Sequence, residues 1–113
     1  MNIKYFRRFR MEFDFERTPL AAPLLPPGYH WLPWHRRFLE RHSLVKFASF
    51  HTEIDAQVFP CLGQLNGCRK LMRDISHQPS FLPEATWLIT HQFDDWGERT
   101  DCATIQGLGK SPT

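Results

Sequence analysis

Long apolar runs are missing from this 113-residue chain. No stretch approaches the roughly 18 uninterrupted apolar residues that carry a helix across a bilayer. The nearest thing to a leader, Leu20 to Leu25 after a basic start, is short and is broken by Pro19, Pro23, Pro26 and Pro27, which argues against a signal peptide. Cysteine is scarce. Cys61, Cys68 and Cys102 form an odd set without a CxxC pair, so a secreted disulfide framework is not expected and a reducing, cytoplasmic setting is. Strong charge of either sign is also lacking. Fourteen Lys and Arg against twelve Asp and Glu leave a net charge of +2, and the pI is near 8.6. That balance does not point to nucleic acid. The one dense basic run, Lys4, Arg7, Arg8 and Arg10, reads as the solvated face of a strand.

Metal and phosphate signatures are lacking too. The spacings Cys61-x6-Cys68, His35-x6-His42 and His42-x8-His51 match neither the close pairs of structural zinc sites nor the i, i+4 pair of a helical catalytic site. No metal site is expected. The run TIQGLGKS suggests a phosphate loop, but the position that requires Gly holds Thr104, and no helix follows to meet the phosphate.

What the chain does have is aromatic bulk: ten Phe and four Trp, within an apolar fraction of 42%. Each large ring buries much area, so a core without metal or disulfide is within reach of one domain of this length. Residues 4–16 alternate, with Phe9, Met11, Phe13 and Phe15 opposite Arg8, Arg10, Glu12, Asp14 and Glu16; period two predicts a half-buried strand. Residues 17–28 (RTPLAAPLLPPG) hold four prolines and form a connector. Tyr29 to Trp34 predicts a short strand that Pro33 ends. His35 to Phe50 contains no Gly or Pro and predicts a helix of about four turns. Asn66 is placed to cap a second helix, 67–77. Residues 85–93 and 101–108 predict a hairpin about Gly97. The expected fold is α+β, a mostly antiparallel sheet of about four strands with two helices between the second and third. Residues 1–113 are read as one domain.

Between the helices lie Glu53 and Asp55, in a polar turn flanked by His51, Phe59 and Pro60. Two carboxylates in a concave site would attract a cationic amine. On a plain surface turn they would only be solvated.

The order strand, helix, helix, strand, strand resembles the N-terminal half of a GCN5-related N-acetyltransferase (GNAT) domain. The phrases YFRRFRMEFDF, LPPGYHWLPW, VKFASFHTEIDAQVFPCLGQLNGCRKLM and FLPEATWLI are similar to the opening of a bacterial subgroup and cover most of the chain. The resemblance implies acetyl transfer from acetyl-CoA to an amine in the complete domain. It places Glu53, Asp55 and Phe59 on the acceptor side. The family's (Q/R)xxGx(G/A) coenzyme loop is absent; Gln106-Gly107-Leu108-Gly109 has the wrong spacing. The expectation is therefore an incomplete GNAT-like domain that binds no coenzyme and transfers no acetyl group alone. No catalytic residue carries over. Its last strand would offer an unpaired edge, to a second half of the domain or to self-association. The competing expectation is a small binding module that grips a partner through the Arg7, Arg8 and Arg10 face or through that edge.

Overall fold

The computed structural model describes residues 5, 7 and 9–110. Its elements are β1 (Tyr29–Pro33), α1 (Leu39–Phe50), α2 (Ile54–Val58), α3 (Leu65–His77), β2 (Phe81–His91) and β3 (Thr100–Leu108). A 3-10 turn over Arg36–Phe38 leads into α1, and another over Pro60–Gly63 leads into α3. The fold is α+β. The three strands pair antiparallel in the order β1-β2-β3.

Chain entry into the sheet is set by Gly28. Its φ of 88° lies where a Cβ is disfavoured, and its carbonyl accepts from the Gln92 amide at 2.8 Å. Along β2 the side chains alternate. Thr86, Leu88 and Thr90 are buried on one face, while Trp87 and Ile89 are half-buried on the other. Helices cover only the first of these faces: α1 packs on β3 and α3, and α3 on β2. Val45, Leu62, Cys68, Met72 and Leu88 form the apolar core, and His42, Ser43, Lys46, Thr86 and Thr90 are buried beside them. The seam between helices and sheet is therefore half polar.

β2 starts at Phe81, earlier than the expected 85, and runs through Pro83. Proline is tolerated here because β1 pairs only with residues from Trp87 to His91 and the β2–β3 register shifts between Leu82 and Trp87; the missing N–H falls in a bulge. Helix α3 begins at Leu65, with Gln64 at the N-cap. Asn66 is thus inside the helix, and its Oδ1 accepts from Arg69 at 2.7 Å.

The expected strand over 4–16 does not form among the described residues, so the sheet has three strands there, not four. Residues 9–14 have no regular structure and 15–17 turn. Residues 4, 6 and 8 lie outside the described set. Asp14 ends the extended run: its Oδ1 accepts from the Glu16 amide at 3.0 Å, an Asx turn. Phe9 and Met11 are 98% and 90% exposed, so the apolar row has no surface to pair with.

Candidate functional site

The α1–β3 seam is held by polar side chains. Arg41, His42 and Lys46 point from α1 toward Asp101, Thr104 and Gln106 of β3. Arg41 donates to both Asp101 oxygens, from Nε at 2.8 Å and from Nη2 at 2.6 Å, a fork geometry that fixes both planes. The Arg41 guanidinium holds the Asp101 carboxyl below its usual range.

Deeper in the seam the polar groups form a directed chain. Lys46 Nζ donates to Gln106 Oε1 at 2.7 Å. Gln106 Nε2 donates to Thr104 Oγ1 at 2.7 Å. Thr104 Oγ1 lies 2.7 Å from His42 Nδ1, and Gln106 Nε2 lies 3.4 Å from the same nitrogen. His42 Nε2 is buried and has no hydrogen-bond partner among the described residues. Burial, with the nearby Lys46 charge adding to it, pushes the His42 pKa down to about 4. The imidazole is neutral at neutral pH. Burial lowers the Lys46 pKa as well, because an ammonium loses hydration there.

Lys46 also borders a cavity of about 300 Å³, shared with Phe50, Asp55, Phe59, Cys61, Leu62 and Leu71. The size suits a small molecule, and the walls are mostly apolar. Asp55 and Phe59 are brought here by α2, a five-residue helix where a turn was expected. Glu53 is the exposed N-cap residue of that helix and does not line the cavity. Of the three residues singled out from sequence, two converge. Gly67 lies against the backbone of Cys61, which borders the cavity. A Cβ there would collide with the Cys61 carbonyl oxygen and come within 2.8 Å of the Cys61 Cα, so only glycine lets α3 approach so closely. Cys68 Sγ donates to the carbonyls of Cys61 and Leu62, each at 3.7 Å, and burial raises its pKa.

Sequence reasoning missed Lys46 and the chain behind it. The available signal was His42 and Lys46 at i, i+4, facing two polar residues, Thr104 and Gln106, at strand period.

The Gln106 to Gly109 stretch does not fit a coenzyme phosphate. The Gly107 amide donates to Thr86 Oγ1 at 3.3 Å and the Gly109 amide to the Ser80 carbonyl at 2.7 Å, so neither is aimed outward as a cradle needs. Among the described residues no group of three or more His, Cys, Asp or Glu could hold a metal ion. No helix among them is long and apolar enough to cross a membrane. Comparison with models of protein families, with curated proteins and with solved structures returned no match.

Proposed function

We propose that this chain is the acceptor side of a cytoplasmic GNAT-type N-acetyltransferase, in which acetyl-CoA supplies the acetyl thioester and an amine receives the group. The observation that carries this reading is the cavity lined by Lys46, Asp55 and Phe59, in a chain whose strand, helices, strand, strand order resembles the first half of that fold. The carboxylate of Asp55 attracts an ammonium group. Phe50, Phe59, Leu62 and Leu71 take an apolar body. Lys46 opposes a second positive charge, so the acceptor class is a monoamine with a hydrophobic skeleton, not a polyamine. The donor is held by polypeptide other than these residues, and no step of the transfer is assigned to them.

The test is titration with 2-phenylethylamine followed by NMR shifts. The reading expects shifts at residues around Phe59 and Leu71, and a dissociation constant about fivefold to tenfold weaker in Asp55→Asn, in line with loss of one charge contact. Equal affinity in the variant, or shifts scattered over the surface, would contradict it.

A further inference from the structure

The sheet face away from the helices carries a groove of about 700 Å³. Trp31, Ala85, Trp87 and Ile105 line it, joined at its rim by Phe15 and Pro23 of the N-terminal arm and connector. Trp31 and Trp87 meet edge to face at 5.7 Å, and Trp31 and Ile105 remain 39% and 59% exposed. An apolar surface of this kind, one ring deep and open to water, marks an interaction site. It is separate from the acceptor cavity and independent of that reading.

The arm supplies a matching surface. Phe9, Met11, Phe13 and Phe15 recur at strand period and are all exposed. Phe9 and Met11 lie almost wholly in solvent, 98% and 90% exposed. The Cα radius of gyration is 16.3 Å, with a longest extent of 54 Å, against about 13 Å expected for a compact chain of this length. A solvent-exposed apolar arm joined to the body by a proline-rich connector is an arrangement that can exchange between copies.

We propose that two copies of this chain associate by exchanging arms, residues 9–13 of each pairing as a strand with the outer edge of β3 in the other, so that their apolar side extends its open sheet face. The register supports that edge. Ile105 pairs with Trp87 and Ala103 with Ile89, so these four share the open face. A strand added next to β3 with Phe9, Met11 and Phe13 on that side extends the stripe. β3 offers an outer edge of nine residues without proline, whereas β1 has five and ends in Pro33. A ring buries about 150–250 Å². Two arms and the faces they cover then reach the roughly 1,200–2,000 Å² of a stable interface. The two-fold arrangement closes, so assembly stops at the dimer.

Sedimentation equilibrium of the full chain tests this, with Phe9→Asp/Phe13→Asp as the variant. Both residues are exposed, so the fold of the monomer does not depend on them, and circular dichroism checks that. The expected result is a concentration-dependent dimer for the parent chain and a monomer for the variant. In a mixture of labelled and unlabelled chains, isotope-filtered NOEs are expected between the Met11 methyl and the Ala103 or Ile105 methyls of different molecules, since β3 is the strand the arm would adjoin. A parent chain that stays monomeric, with its arm folded onto its own sheet or free, would overturn the proposal. So would a dimer that survives in the variant, or arm–sheet NOEs found only within one molecule.

Discussion

At the residue scale the seam is decided by groups whose burial sets their chemistry. His42 is the sharpest case, with its folded pKa near 4 against an ordinary value near 6.5. The unfolded chain therefore binds a proton that the folded chain refuses. Stability is full above about pH 6.5 and drains away as pH falls toward 4, by an amount on the order of 2–3 kcal/mol. Asp101, whose pKa is lowered by Arg41, adds a loss only further down, below its unfolded value. Urea midpoints between pH 7.5 and 4.5 are expected to fall in the parent chain and to flatten in His42→Gln. A parallel slope in both would remove His42 as the cause. Gly67 makes a second prediction at this scale. Alanine raises helix propensity by about 1 kcal/mol, but its methyl would meet Cys61 backbone, which cannot swing aside. Gly67→Ala is expected to lose about 1–3 kcal/mol net, read as a lower urea midpoint with unchanged slope.

At the element scale, α1 is tied to β3 by the Arg41–Asp101 fork, with side chains 31% and 20% exposed. A partly buried, bidentate pair of this kind contributes more than a surface ion pair. Arg41→Ala is expected to cost about 1–2 kcal/mol, and to speed amide exchange near Asp101 before exchange in the β1–β2 pair. The Glu40–Arg69 pair joins α1 to α3 in open solvent, with contacts down to 2.6 Å. Its loss is expected to stay within about 0.5 kcal/mol. How far these elements could be read beforehand follows the same physics. Helix α1 was legible because sixteen residues pass without Gly or Pro, and the hairpin because β-formers flank Gly97. The start of β2 was hidden by Pro83, whose tolerance depends on a bulge that only pairing reveals. The N-terminal strand does not form among the described residues: alternation reports a potential face, and a strand forms only where something pairs with it.

At the scale of the whole molecule, one sheet face is covered and the other is bare. The helices supply a half-polar seam and a cavity on the covered side. The bare side carries an apolar groove, and β3 is an outer strand of the sheet among the described residues. The candidate site was half legible for a reason of distance. Asp55 and Phe59 are near neighbours in the chain and could be grouped by eye, whereas Lys46 enters through contacts with β3 some sixty residues away. That convergence also shows that the glycines near the end of β3 spend their amides inside the sheet.

The proposed division of labour, acceptor side here and donor side elsewhere, is tested most directly by calorimetric titration of the chain with acetyl-CoA. The account predicts no saturable heat. Stoichiometric binding in the micromolar range or tighter would contradict it.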